Sequence, residues 1–143
     1  MPFEFLEDIA TADIAFRAWG KDLEETFTAA ADATMNVMVE ELESIDPREK
    51  KELRLENDHL DMLLFDLLQE LIYYKDAEEL LLRVRQIEIQ EKDRLHVLKG
   101  VASGEKIDRN RHRFRVDVKA VTLHLFRLEK TENGWETLVI LDI

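Results

Sequence analysis

The side chains able to do chemistry in this sequence are few, and the promising ones are carboxylates. The 143 residues contain no cysteine, which excludes disulfides and thiolate metal sites. The four histidines are His59, His96, His112 and His124. None stands in a motif that sets a nucleophile beside a positioned base. No His-x-x-x-His or His-Glu-x-x-His spacing occurs, so zinc is not expected. The four glycines are scattered and form no phosphate-cradling loop. Two carboxylates stand out by position. Asp13 lies in Thr11-Ala12-Asp13, where a strand begins, and Asp142 lies in Leu141-Asp142-Ile143 at the end of the sequence. The terminal carboxylate of Ile143 adds a third anionic group one residue away. Two carboxylates ~5 Å apart repel by roughly 3 kcal/mol at an effective dielectric of ~20. A divalent cation turns that repulsion into attraction, and an all-oxygen ligand set favours a hard ion. Calcium is the ion expected, with magnesium and manganese as the other choices. The plain alternative makes Asp13 a turn residue and Asp142 a frayed terminus.

Charge narrows the partners. The net charge is −12 and the pI about 4.8. A general nucleic-acid binder draws affinity from clustered Lys and Arg that release counterions from phosphates, so no stable direct binding to nucleic acid is expected. One stretch runs against the trend: Lys106, Arg109, Arg111, His112, Arg113 and Arg115. It reads either as a solvated loop balancing acidic neighbours or as a contact to an acidic partner surface or nucleic acid. The start, Met1-Pro2-Phe3-Glu4-Phe5, has neither the basic residues nor the apolar run of a signal peptide. No run reaches the ~18 apolar residues of a membrane helix. A cytoplasmic protein without membrane contact is expected.

The elements that must position these residues follow from periodicity. No repeat or Ser/Gly-rich linker is present, and residues 1–143 read as one domain. Phe3 to Leu6 is a short strand. Asp13 to Trp19 is a second, with Ile14, Phe16 and Ala18 alternating against Ala15, Arg17 and Trp19. Asp22, with Glu25 three residues on, has the pattern of a capping box. It opens a helix through Leu23, Phe27, Ala30, Thr34, Val37 and Met38 to about Glu40 or Glu41. Asp46-Pro47 breaks the chain, and Glu52 to Glu56 is a short strand. Asn57 or Asp58 caps a second helix, whose Leu60, Leu63, Leu64, Leu67, Leu68, Leu71 and Ile72 form one apolar stripe. That stripe belongs to a core far more often than to a partner surface. Everything after about Leu80 reads as strand: Leu82 to Ile89, a turn near Glu91 to Asp93, Leu95 to Ala102, Arg115 to Glu129, and Trp135 to Asp142 after an Asn133-Gly134 hairpin signal. The expected fold class is α+β, with two helices packed on one face of a mainly antiparallel β-sheet.

These segments, in this order, resemble the archease family over essentially the whole chain. The shared stretches are Thr11-Ala12-Asp13, then Ala18-Trp19-Gly20 running into Asp22-Leu23-Glu24-Glu25, and the Leu-rich second helix. Val118-Lys119-Ala120-Val121-Thr122-Leu123-His124 and the Asp142-Ile143 ending complete the set. The resemblance implies a small acidic protein that assists an RtcB-type RNA ligase of transfer-RNA splicing and RNA repair. That ligase joins 2′,3′-cyclic-phosphate or 3′-phosphate ends to 5′-hydroxyl ends, using GTP and manganese, through a guanylylated histidine. The accessory protein promotes guanylylation and repeated turnover and does no bond chemistry itself. The resemblance further implies a metal-binding acidic cluster at Asp13, Asp142 and the backbone or terminal carboxylate of Ile143. It places Thr11 beside the site and matches Lys119, His124 and His112 to recurrent family positions. The chain departs from the family pattern at Ala10, where a histidine is usual, at Ala15, where a glycine is usual, and in a one-residue irregularity at Asp8 and Ile9. Two other readings of the same residues are a small divalent-metal-dependent phosphohydrolase and a metal-free protein-interaction module.

Overall fold

The computed structural model describes residues 2–7 and 13–143. The chain order is β1 (Phe3–Leu6), β2 (Ile14–Gly20), α1 (Leu23–Met38), a single 3-10 turn (Leu42–Ser44), β3 (Glu49–Asn57), α2 (Leu60–Glu78), β4 (Leu80–Lys92), β5 (Leu95–Lys106), β6 (Ala120–Thr131) and β7 (Gly134–Asp142). The fold is α+β with every strand pair antiparallel. The strands divide between two sheets where one was expected. The first has the order β1-β2-β7-β6 and the second β3-β5-β4. The division has a physical cause in residues 107–119, which lie between β5 and β6 without joining a sheet. This long connection carries the chain from one sheet to the other.

Both helices begin for local reasons. Asp22 caps α1, its carboxylate accepting from the Glu25 N–H at 2.8 Å. α1 then buries Thr26, Phe27, Met35, Met38 and a run of alanines. It packs on β2 and β7 of one sheet and β4 of the other. Small side chains suit a helix enclosed on two sides, because they let both sheets approach. Thr34 lies fully buried and returns its hydroxyl to the Ala30 carbonyl at 2.9 Å. The Asp32 carboxylate and the Arg83 guanidinium of β4 form a two-bond pair at 3.1 and 3.2 Å, locking α1 to the second sheet. α1 ends at Met38, short of the expected Glu40 or Glu41, because Val39 turns extended and bridges to Phe114.

α2 starts at Leu60 with His59 at the cap position and no side-chain cap. The expected cap Asp58 does not hold that position, and neither does Asn57. Asn57 accepts from the His59 N–H at 2.9 Å and donates to Asp66 at 3.0 Å, closing the turn before the helix. The leucine stripe is core: Leu63, Leu64, Leu67, Leu68 and Leu71 are all fully buried. Each such burial stabilises the fold by roughly 1.5–3 kcal/mol. Among the described residues no helix is long and apolar enough to cross a membrane.

The two hairpins solve their turns differently. At β4–β5, Lys92 faces Leu95, and Asp93 and Arg94 both take positive φ (51° and 67°), the signature of a type I′ turn. At β6–β7, Thr131 faces Gly134, so Glu132 and Asn133 form the turn, and Gly134 opens β7 with φ 147°. A Cβ there would lie 2.0 Å from the Gly20 carbonyl oxygen. The Asn133-Gly134 signal thus marks the hairpin correctly but misplaces the glycine, which serves a close approach of β7 to the end of β2.

Candidate functional site

β7 is central in its sheet, with β2 on one side and β6 on the other. The last β2–β7 pair is Ile14 with Leu141. Carried one residue further, that register sets Asp13 against Asp142. On the other flank Ala120 pairs with Asp142, and the Lys119 N–H donates to the Asp142 carbonyl at 2.8 Å. Asp13, Asp142, Ile143 and Lys119 therefore meet at one end of one sheet, although more than 100 residues separate the first two in sequence. Directly opposed residues of an antiparallel pair hold their Cβ atoms about 5 Å apart. Asp13, Asp142 and Ile143 are half-buried and Lys119 is exposed. Asp13 also lines a cleft of about 420 Å³, with Phe5, Leu6, Ile14 and Val37 as apolar walls and Glu7 and Arg115 as its other charged groups.

The donor chemistry fits a hard cation, with one qualification about number. Asp13 and Asp142 offer two carboxylates, and Ile143 adds main-chain oxygen. Among the described residues no group of three or more His, Cys, Asp and Glu side chains is placed to hold a metal ion. Any ion here would draw its remaining ligands from main-chain oxygen and water, as calcium and magnesium sites commonly do.

The other expected site residues fall elsewhere. Thr11, with the sequence departure at Ala10, lies outside the described residues. His124 sits at the exposed crest of an irregularity in β6. Thr122 pairs with Ile140 and Arg127 with Leu138, so Leu123 to Phe126 together oppose the single residue Val139. Four residues of strand, about 13 Å, separate His124 from Ala120, the partner of Asp142. His112 is buried, and both ring nitrogens are engaged: Nδ1 accepts from the Asp108 N–H at 3.0 Å, and Nε2 lies 3.0 Å from Glu105 Oε2. Since Nδ1 accepts, Nε2 carries the proton and donates to the carboxylate. Glu105 also receives Arg111 and the Asp46 N–H. Burial alone would raise the Glu105 carboxyl, but the hydrogen bonds from Asp46, His112 and Arg111 outweigh it and hold the group below the usual carboxylate range. This network anchors the start of the connection that ends at Lys119.

Sequence reasoning missed the second anchor of that connection. Lys75 of α2 is only 6% exposed, and its Nζ donates to Asp117 Oδ1 at 2.5 Å and to the Val118 carbonyl at 2.8 Å, with Asp76 Oδ1 at 2.6 Å. It holds the two residues that immediately precede Lys119. A signal was present: Lys75 continues the buried stripe of Leu64, Leu68 and Leu71 at helical spacing. A lysine in a leucine stripe needs a buried partner. Gln69, on the same helix, accepts from the Val121 N–H at 2.9 Å. α2 thereby fixes the start of β6 on both sides of Lys119. The strand expected from Arg115 begins only at Ala120, because Ala120 already pairs with Asp142, the last residue of β7.

A family model described as the archease protein family (MTH1598/TM1083) matches residues 3–143. Protein archease of Methanosarcina mazei is 39% identical over 142 residues, covering 99% of this chain and 95% of that protein. Protein archease of Pyrococcus abyssi is 36% identical over 134 residues, covering 93% and 94%. The solution structure of Methanobacterium thermoautotrophicum protein 1598 superposes with a TM-score of 0.86 at 35% identity, over 99% of both chains. A Thermotoga maritima structure described as an archease, possible chaperone, shares the fold alone, with a TM-score of 0.58 at 19% identity over 94% and 93%.

Proposed function

The chain belongs to the archease family, and from that premise we propose that it is a non-catalytic accessory protein that activates an RtcB-type RNA ligase of transfer-RNA splicing and RNA repair. It promotes guanylylation of the ligase and its repeated turnover, in the cytoplasm. The observation that carries the reading is the β2–β7 register, whose last pair, Ile14 with Leu141, is flanked in sequence by Asp13 and Asp142. Asp13, Asp142 and an oxygen of Ile143 hold a divalent cation, calcium first and magnesium or manganese otherwise. When bound, the ion supplies positive charge that cancels the repulsion of the two carboxylates. The chain's own residues do the rest. The Asp142 backbone pairs with Ala120 and accepts from the Lys119 N–H, which anchors the residue that carries the carboxylate. Lys119 is tied by its backbone to Asp142, and its side chain is exposed. Docked near the ligase active site, this preset charge pattern favours the ligase geometry that accepts GTP, a population shift and not a chemical step.

The test is multiple-turnover ligation by the cognate ligase with a trace of this protein, comparing wild type with Asp13→Ala and Asp142→Ala. Both variants should fold and should not stimulate. Turnover of phosphate esters by the protein alone would favour the phosphohydrolase reading instead. Full stimulation by both folded variants would favour a metal-free interaction module.

A further inference from the structure

The basic stretch does not act as a unit. Lys106 donates to the Glu78 carbonyl at 2.7 Å, Arg111 pairs with Glu105, Asp46 and Asp108, and His112 is buried. The other three, Arg109, Arg113 and Arg115, are exposed and have no carboxylate within ion-pair distance among the described residues. On a chain of net charge −12, three unneutralised guanidinium groups within seven residues are a local reversal of sign. Between and beside them Phe114 and Val116 are also exposed, at 38% and 39%, and the Arg109 guanidinium lies 5.5 Å from the Phe114 ring centroid.

The backbone here is half of a ladder. Phe114 bridges Val39 in antiparallel sense, the Glu40 N–H donating to the Arg113 carbonyl and the Arg115 N–H to the Met38 carbonyl, both at 2.9 Å. In a pleated segment bonded this way, the N–H and C=O of the middle residue point to the opposite side. Those groups of Phe114 have no backbone partner among the described residues. An extended edge, two flanking arginines and two exposed apolar side chains are the components of strand-addition recognition, in which main-chain bonds supply affinity and alternate side chains supply specificity.

We propose that the edge Arg113–Val116 is a docking strand for an extended acidic segment of a partner protein, whose carboxylates meet Arg113 and Arg115 and whose backbone completes the ladder at Phe114. The occupant is polypeptide and not RNA on two grounds. Three guanidinium groups release few counterions, so a phosphate contact is weak and quenched by salt. A polypeptide strand, in contrast, also satisfies the Phe114 backbone and covers its ring and Val116. The proposal rests only on the chain having a protein partner and needs neither the metal nor the ligase.

The probe is a labelled peptide of alternating glutamate and valine, titrated into the whole chain and followed by fluorescence anisotropy and by amide hydrogen exchange. The peptide should bind and slow exchange at Phe114. Binding should weaken at least about tenfold in Arg113→Glu/Arg115→Glu, a pair of exposed charges whose reversal leaves the melting temperature near that of wild type, and by a similar factor when the peptide backbone is N-methylated. Three results would overturn the proposal: no peptide binding, binding that survives charge reversal, or tighter binding of a short oligouridylate than of the peptide. Because ligase and metal are absent from this assay, its failure leaves the accessory reading untouched, and a failure to stimulate ligation leaves this surface untouched.

Discussion

The Lys119 amide donates to the Asp142 carbonyl at 2.8 Å, so the lysine and the aspartate are joined through their backbones whatever their side chains do. Asp13 and Asp142 each lie one residue beyond Ile14–Leu141, the last pair of the β2–β7 ladder. The pair should therefore behave as one site toward a cation. Calcium or manganese at 100 times its dissociation constant should stabilise the wild-type chain by about 2.7 kcal/mol. Asp13→Ala and Asp142→Ala should each lose that gain. In metal-free solution both variants should be no less stable than wild type, since removing one carboxylate relieves repulsion. Thermal melts with and without metal check both statements.

Lys75→Met should act at a distance through the segment it clamps. The change leaves the Val118 carbonyl without its donor, at a cost of about 1–3 kcal/mol. Asp117 and Asp76 stay solvated, so no buried charge is orphaned. The larger effect should be on position: hydrogen exchange at Lys119 should speed up, and metal affinity should fall about tenfold, as for loss of an outer support to a metal ligand. Calorimetric titration measures the affinity, and unchanged values would detach Lys75 from the site.

Glu105 sets an acid limit on the connection that ends at Lys119. Its carboxyl is held below its usual value in the folded chain. Folding therefore gains from its ionised form at neutral pH, and the gain disappears as pH falls from about 4.5 through the lower folded value. Glu105→Gln should lower stability at pH 7 by about 2 kcal/mol, because hydrogen bonds to a charged acceptor are replaced by neutral ones. The variant should also lack this part of the acid-induced loss. Melting temperatures between pH 3 and pH 7 test the sign.

His124 lies about 13 Å along β6 from the acidic end of the sheet, and His124→Ala should leave metal affinity unchanged within about twofold, as for independent sites. The same titration settles it. Any loss of ligase stimulation in that variant would then belong to contact with the partner, through the crest it shares with the exposed Leu123 and Leu125.

Much of this was legible in the residues themselves. Asp22 capped α1 as its spacing to Glu25 suggests, and the leucine stripe of α2 is core. Asp13 and Asp142 stand out in the sequence by position, but that they lie at the same end of one sheet follows only from the register in which Ile14 pairs with Leu141. Other features depend on contacts remote in sequence. Arg115 to Glu129 reads as one strand, yet the ladder starts only at Ala120, opposite Asp142 at the end of β7, and its register shifts between Thr122 and Arg127. The two-sheet division escaped for a related reason: periodicity shows that a segment is a strand but not which edge it joins. His112 stands in a basic stretch of the sequence, and nothing local reveals the Glu105 carboxylate that holds it.

The central claim is that the Asp13–Asp142 pair is what lets this chain activate a ligase. The most direct measurement is the number of RNA ligation turnovers per RtcB-type ligase molecule, with this protein present in substoichiometric amount, for wild type, Asp13→Ala and Asp142→Ala. The account predicts many turnovers with wild type and about one with either variant, each variant melting cooperatively in metal-free buffer. Equal stimulation by all three proteins would contradict it.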